Sequence, residues 1–489
     1  MFTDRPNIAI SFDASIKYLL LVLVPLGFSA MLIASLPLTF IIMTLALLLL
    51  LLVMRQRAGL YLLILFIPLS GLQLKTNIFG MYLARRFDVV SHYCLYHPLL
   101  VIVLSLWVFK RLAGVQWQDV ENTSSHNTNK VILFSLACWA TTTMAWAPDI
   151  IFSGRHLLQL YMNISLFFLP IALIRDEKSV KWAVIFWIIA GVIMSIGAIG
   201  DRIYVLYNPV DQTTIKEFKY KIADFMKFNL MFRLLPVRAS GFSSFDFTSL
   251  LMNITAPLTL FLIDKKKIWY KMVGVAALFV ILFARTLIMN KSGLGAFVFA
   301  FILLIAFYKS FDRKRIFIFV FIGIVCAMLF FSSQSIFSKI SSIKRISSSA
   351  GTDKTSSLTI RLKWWKAGIE NVIQTNGAGL GPGGFKHDVN APHGAHNFIM
   401  SFFFDYGLIG LVCAIFFYLN ILRDHFITFA RQETEMQRIS FLFVVGIAAF
   451  MLQGLVDFDY YYPEEWIYLG TSFAILNVAY GAARNESPT

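Results

Sequence analysis

From Tyr18 to Val53 the chain carries no charged side chain. One α-helix crosses the hydrocarbon core of a bilayer with roughly 20 apolar residues. This run exceeds a single crossing and is predicted to form two helices turning near Ser35, Leu36 and Pro37. It is also too long for the apolar core of a signal peptide, and Asp4 and Asp13 spoil a basic leader, so the N-terminal segment is expected to be retained. The rest of the chain repeats the pattern: 58% of the 489 residues are hydrophobic and 14% are charged, against about 25% charged in soluble domains. Spans are predicted near 17–34, 36–53, 58–72, 95–110, 131–147, 156–174, 181–200, 244–263, 269–285, 291–308, 315–332, 396–421, 438–456 and 464–482. The short one near 58–72 reads equally as a re-entrant segment. The expected fold class is an all-α polytopic membrane protein with about 12–14 transmembrane helices, forming one integral membrane domain over 1–489.

Lys and Arg beside spans are retained in the cytoplasm. With both termini inside, the cytoplasmic turns hold Arg55 and Arg57; Lys110, Arg111 and Lys130; Arg175, Lys178 and Lys181; Lys265, Lys266 and Lys267; Arg313, Lys314 and Arg315; and Arg423 and Arg431. Loops 201–243 and 333–395 then fall on the outer face with 73–94. These outer loops are basic as well, through Lys216, Lys219, Lys221, Lys227, Arg233 and Arg238 in the first and Lys339, Lys344, Arg345, Arg361, Lys363, Lys366 and Lys386 in the second. In a soluble protein a net charge of +16 would suggest nucleic acid; outside a membrane the anions expected are lipid headgroups, lipid phosphates or diphosphates, so the partners implied are the bilayer and a lipid-borne anion and no nucleic acid. Cys94, Cys138, Cys326 and Cys413 lie in or beside apolar spans and suggest neither a disulfide framework nor a metal site.

Within the second loop, residues 358–374 place apolar side chains at helical spacing, with Trp364 and Trp365 at the border and lysines on the polar side. They predict an amphipathic helix lying in the membrane interface. Arg361, one turn ahead of Trp365, is either a snorkelling side chain or a guanidinium held at headgroup depth, where it can grip phosphate oxygens through two parallel hydrogen bonds. The stretch from Lys216 to Leu235, with phenylalanines among lysines, reads as a second interfacial element. Gly379, Gly381 and Gly384 spell G-x-G-x-x-G, but an amphipathic helix precedes them and Pro382 interrupts them, so a dinucleotide site is not expected. The physical reading is a tight turn, or a place where backbone amides approach a ligand closely. His387, His393 and His396 follow at spacings that permit metal binding without indicating it. His396, beside Asn397, is either a capping or packed histidine or a general base, since imidazole titrates near neutrality.

The order Arg361, fifteen residues, Gly377, then His396 and Asn397, nine residues, Gly407 and Gly410, resembles the signature region of the bacterial O-antigen ligase and O-antigen polymerase superfamily. Val237, Arg238, Gly241 and Phe242 are similar to an arginine-glycine element of the same family. The resemblance covers motifs over about 238–425 and implies a metal-independent, inverting, membrane-embedded glycosyltransferase without cofactor. Its donor would be an undecaprenyl-diphosphate-linked glycan, its site would face the periplasm of the bacterial inner membrane, and its large periplasmic loops would carry the interfacial helices. Carried onto matching positions, Arg238 and Arg361 would grip the diphosphate and His396 would assist the acceptor hydroxyl, with Gly407 and Gly410 serving close helix packing. The acceptor is lipid A core for a ligase, the favoured reading, or a lipid-linked repeat unit for an O-antigen or exopolysaccharide polymerase, which leaves room for a chain-length regulator. A protein O-oligosaccharyltransferase is a third version.

Two places depart from the family pattern. Around Asn290, Lys291, Ser292 and Gly293 the family commonly presents Ser-Arg, so a point charge replaces a bidentate fork, and Ser243 to Asp246 replaces an expected Pro-Asn. Lys291 and Arg285 are candidate phosphate contacts or ordinary interfacial anchors, and Asn397, Gly379 and Gly381 are further candidate substrate contacts. The run from Asp457 through Asp459, Tyr460, Tyr461, Tyr462, Glu464, Glu465 and Trp466 is an aromatic belt or, through Asp457 and Asp459, a site for acceptor hydroxyls. The rival class is a lipid-linked oligosaccharide transporter; spans poor in charge, no visible repeat and the crowding of notable residues on one face weigh against it.

Overall fold

The computed structural model describes residues 56–66, 72–76, 93–94, 100, 103–104, 124–207, 230–234, 245–288, 290–308, 357–389, 394–430, 432–457 and 459–485. Arg238, His393, the spans predicted at 17–34, 36–53 and 315–332, and most of that at 95–110 lie outside these residues. The chain divides into two compact units.

The smaller unit contains helix α1 (Gln56–Phe66) and three antiparallel strands, β1 (Leu72–Thr76), β2 (Tyr93–Cys94) and β3 (Leu230–Leu234), in the order β2-β1-β3. Gln73 sits opposite both Cys94 and Arg233, and Leu74 opposite Tyr93 and Phe232. Both longer strands alternate apolar and polar residues in part, the period-2 pattern of a sheet with unlike faces. The stretch 216–235, expected to be interfacial, thus ends in a strand.

The larger unit is helical: α2 (Ser124–Thr142), α3 (Ile150–Leu173), α4 (Glu177–Tyr207), α5 (Phe245–Thr255), α6 (Leu260–Ile263), α7 (Ile268–Ile288), α8 (Lys291–Phe307), α9 (Ser357–Gln374), α10 (Gly384–Asp388), α11 (Phe398–Ala430), α12 (Glu435–Gly454) and α13 (Pro463–Asn485). With helices dominating the described residues, the protein is an all-α polytopic membrane protein in class, and the small sheet is an addition the hydropathy pattern did not announce. Among the described residues, five helical segments are long and apolar enough to cross a membrane: Ile150–Leu173, Glu177–Gly200, Ile268–Arg285, Phe398–Phe426 and Glu435–Gly454. The span predicted over 244–263 is broken into α5, a 3-10 turn at Pro257–Thr259 and α6. Proline lacks the amide that would continue the ladder and crowds the preceding turn.

Several helix starts follow local chemistry. Asp149 caps α3 by accepting from Ile151 N and Phe152 N, both at 2.9 Å. These bonds, Phe152's foremost, hold its carboxyl below the usual carboxylate range. Thr434 and Gln437 form a capping box at the start of α12. That start is also clamped by charge: Glu435 takes Lys181 at 3.1 Å and pairs with Lys265.

Lipid is as apolar as leucine, so helices in a membrane associate through close packing and interhelical hydrogen bonds rather than through expulsion of water. Both devices are present. A Cβ on Gly470 of α13 would lie 2.2 Å from the Phe167 carbonyl of α3, so only glycine permits that crossing. Buried Asn253 of α5 donates to Gln453 Oε1 of α12 at 2.8 Å and to the Gly293 carbonyl of α8 at 2.9 Å, tying three helices together. Such bonds contribute about 0.6–2 kcal/mol each. Asn253→Leu should therefore lower the detergent-solubilised protein's melting temperature, whereas Ile302→Leu on the exposed face of α8 should not; equal melting of the two would show that the three-helix tie contributes nothing.

Candidate functional site

The glycine run and the Gly407 position form one structure. α11 is interrupted at Gly407, whose φ of 65° and ψ of −154° are available essentially to glycine alone. In an unbroken helix the Leu408 amide would bond the Phe404 carbonyl, four residues back. Here Leu408 N donates to the Gly377 carbonyl at 2.9 Å, and the Phe404 carbonyl accepts from Leu380 N at 2.9 Å. Gly381 N takes the Asp405 carbonyl at the same distance. The loop supplies the bonds that the broken helix gives up.

The two backbones approach so closely that a Cβ on Gly379 would meet Gly407 N at 2.4 Å, and one on Gly407 would meet the Gly377 carbonyl at 2.0 Å. Two indoles complete the joint, Trp146 Nε1 donating to the Gly379 carbonyl at 2.9 Å and Trp139 Nε1 to that of Tyr406 at 2.7 Å. Gly379 and Gly381 are thus packed on protein: on Asp405 to Gly407, and on Ala147 and Thr143 respectively.

α9 lies beside this joint. Gly368 and Val372 are on its buried face, Val372 clustering with Leu380, Phe385, Ala395 and Phe404, and Trp364 and Trp365 pack at the edge. Leu362, Ile369 and Ile373 are exposed. Trp365 Nε1 donates to the Ala395 carbonyl at 2.7 Å, fixing the residue before His396.

His396, Arg361 and Arg285 converge on Asp457, just beyond the end of α12. His396 Nδ1 is 3.0 Å from the Asp457 carbonyl oxygen. Arg361 Nη1 donates to the neighbouring Val456 carbonyl and lies 3.9 Å from Asp457 Oδ1. Asp457 Oδ2 accepts from Asn290 Nδ2 at 3.0 Å and from Ser292 Oγ. Arg285, 3% exposed, joins through its Nη2 bond to the Asn290 carbonyl at 2.8 Å. Asn397 caps the first half of α11 through Met400 N at 3.0 Å and donates to the Leu455 carbonyl at 2.9 Å. Lys291 opens α8, directly after the Asn290 cap.

Asp459 holds the histidine from the other side. Its Oδ1 accepts the His396 amide at 3.1 Å and Ser401 Oγ at 2.6 Å. His396 needs the hold, because its φ of 52° is left-handed, a conformation costing an L-residue roughly 1–2 kcal/mol. Behind this layer, Tyr460 OH reaches Asp405 Oδ2 at 2.8 Å, Tyr461 OH donates to the same oxygen, and Phe385 N donates to Oδ1 at 3.3 Å. Burial, with the Asp405 carboxylate adding to it, pushes both tyrosine hydroxyls well above the ordinary phenol range, so they remain donors.

Residues 276–415 match the O-antigen ligase family. The matched region holds Arg361, Gly377, His396, Gly407 and Gly410, the motif residues by which the chain resembles the O-antigen ligase and polymerase superfamily. None of the curated proteins is a significant match to the chain. The O-antigen ligase region takes in Arg285, Asn290, Arg361, the glycine loop, His396 and the Gly407 break, and it supports a glycan-processing function of the ligase or polymerase type. Asp457 and Asp459 lie beyond it in sequence and are brought to it by the packing of α12 and α13. Neither sequence pattern nor resemblance pointed to Asn290, Ser292, Ser401, Asp405 or Lys386 as partners in this site. Asn290 had a usable signal, a helix-capping residue before an apolar run; the others show their roles only once distant segments meet.

Gly407→Ala should cost at least about 1–3 kcal/mol from backbone strain alone, with the clash against Gly377 in addition. Gly295, whose Cβ would meet nothing within 4 Å, is the control. Loss of folded yield and melting temperature for Gly407→Ala but not Gly295→Ala is expected; equal behaviour would mean that the break is not fixed as described.

Proposed function

We propose that the protein transfers a glycan from undecaprenyl diphosphate to an acceptor hydroxyl at the periplasmic face of the bacterial inner membrane, as an O-antigen ligase acting on lipid A core. The observation that carries this reading is the convergence on Asp457 of His396, Arg361 and, through Asn290, Arg285, the three lying within the matched region and the aspartate beyond it.

Glycosyl transfer requires removal of a proton from a poor nucleophile and stabilisation of a departing diphosphate. With Nδ1–H donating to the Asp457 carbonyl, His396 presents Nε2 as its proton acceptor, since a hydrogen bond at one ring nitrogen sets the role of the other. The acceptor oxygen attacks the sugar's anomeric carbon opposite the diphosphate, its proton passes to Nε2, and the carbon–oxygen bond to the diphosphate breaks with inversion. Arg361 stabilises the charge that develops on the leaving diphosphate, with Arg238 assigned as its partner from the family resemblance. Arginine suits a role without metal because its fork is always charged and binds phosphate through two donors. Asp457 and Asp459 border the place where acceptor hydroxyls would sit, and Lys291 contributes a point charge.

Orientation rests on the basic turns. Lys181 and Lys265 meet Glu435 at one end of α12, and Asp457 lies just past the other. A helix of 20 residues separates them by about 30 Å, the thickness of a hydrocarbon core. With those lysines taken as cytoplasmic, the geometry supports a periplasmic His396 and termini in the cytoplasm.

Reconstitution with lipid-linked glycan and lipid A core tests the reading. Capped core indicates a ligase, a ladder of longer lipid-linked chains indicates a polymerase, and movement of lipid across vesicles without a new glycosidic bond would overturn both. His396→Ala should lower transfer by about 10²–10⁴-fold, the usual contribution of a general base, with the protein still folded; near-normal transfer would remove His396 from that role. Arg361→Lys should damage activity more than Lys363→Ala, because Lys363 is exposed while Arg361 reaches both Val456 and Asp457. Equal, mild effects would leave Arg361 an interfacial anchor.

A further inference from the structure

Lys386 stands outside the groups just assigned, yet it has two specific contacts. Its ammonium lies 3.6 Å from Asp459 Oδ2 and 4.5 Å from the centre of the Tyr461 ring. Asp459 is buried, and a buried carboxylate persists as an anion only when charge and hydrogen bonds compensate it. Lys386 is the cation nearest to it among the contacts of the described residues, and the Tyr461 face holds the ammonium in place. The other oxygen of the same carboxylate accepts the His396 amide and Ser401 Oγ.

We propose that Lys386 is a positioning residue for His396, acting through Asp459. This rests on His396 being the base of the transfer reaction. Without the ammonium, the Asp459 carboxylate would turn toward water, and that change weakens Oδ1 as the acceptor of two donors. His396 would then lose the bond that holds its left-handed backbone, while Nδ1 keeps its contact with the Asp457 carbonyl. The ring would remain in the site but aim less well. The effect belongs to the chemical step rather than to donor binding, because misplacing a catalytic group lowers turnover without removing a contact to the substrate.

Lys386 is placed for this by the glycine loop. α10 begins at Gly384, directly after Gly383 in left-handed conformation, and Gly383 N donates to Tyr461 OH at 3.0 Å. A Cβ on Gly394 would meet Asp459 Oδ2 at 1.8 Å and Lys386 Cε at 2.8 Å, so the pair lies directly against the backbone two residues before His396.

The test is a double-mutant cycle in the full-length reconstituted enzyme, with Lys386→Met, which keeps the stem and removes the charge, Asp459→Asn, and both together. Each single variant should lower kcat by about 10–100-fold with donor KM changed less than threefold, the size of effect expected from a small misplacement of a catalytic group. The double variant should be no worse than the poorer single, since the two residues act in series. Lys386→Arg should restore most of kcat, and melting temperatures should show all four variants folded. Multiplying effects in the double variant, a rise in donor KM with kcat intact, or full activity in Lys386→Met would each overturn the proposal. A His396→Ala enzyme that retains normal transfer would instead defeat the base reading on which it rests, and that result is obtained separately.

Discussion

A membrane-embedded backbone has to satisfy its own amides and carbonyls, because hydrocarbon offers no substitute. α11 breaks that rule within itself at Gly407 and meets it through the glycine loop, which takes the Phe404 and Asp405 carbonyls and supplies one for Leu408 N. The site depends on this exchange. It turns the first half of α11 away from the second, fixes the loop that leads to Lys386, and sets Asp405 where two tyrosines and an amide hold it. Were the helix straight, its own hydrogen bonds would be complete and the loop would have nothing to bind.

Around the joint, polar groups are gathered at one end of the larger unit and matched almost individually. Asp457 offers a carbonyl to His396 and a carboxylate to Asn290, Ser292 and Arg361. Asp459 offers one oxygen to the His396 backbone and the other to Lys386. Two aspartates two residues apart thus address the two sides of one histidine, Asp457 its ring through a main-chain carbonyl and Asp459 its main chain through a carboxylate. Holding reactive groups on helix ends braced by neighbouring helices keeps them within the narrow tolerances that catalysis requires.

Much of this was legible in the sequence. Apolar runs predicted the spans, and those at 156–174, 181–200, 269–285 and 438–456 fall on described helices whose ends differ from them by up to seven residues. The 3.6-residue period around Trp364 and Trp365 marked α9, and the glycine run was read as a turn or a close approach. What it approaches is another stretch of backbone, some way further along the chain, which spacing alone does not reveal. The same limit hid the parts played by Asp457 and Asp459. Acidic residues beside tyrosines look like an exposed belt or a sugar-binding edge until α12 and α13 fold them against α8 and α11. The sheet is not legible in the sequence because its strands are short and separated by long intervals, so no local window contains a pair. Pro257 gave a clear local warning, and the bend it causes was masked by an apolar run that hydropathy joins into one span.

The exchange at Gly407 also has an order in time. The glycine loop precedes α11 in the chain, so during synthesis the Gly377 carbonyl and the Leu380 and Gly381 amides emerge before the turn they complete. The partners for the interrupted segment therefore already exist when that segment reaches the bilayer, and a helix that would otherwise be held to a straight path can settle in its bent form at once.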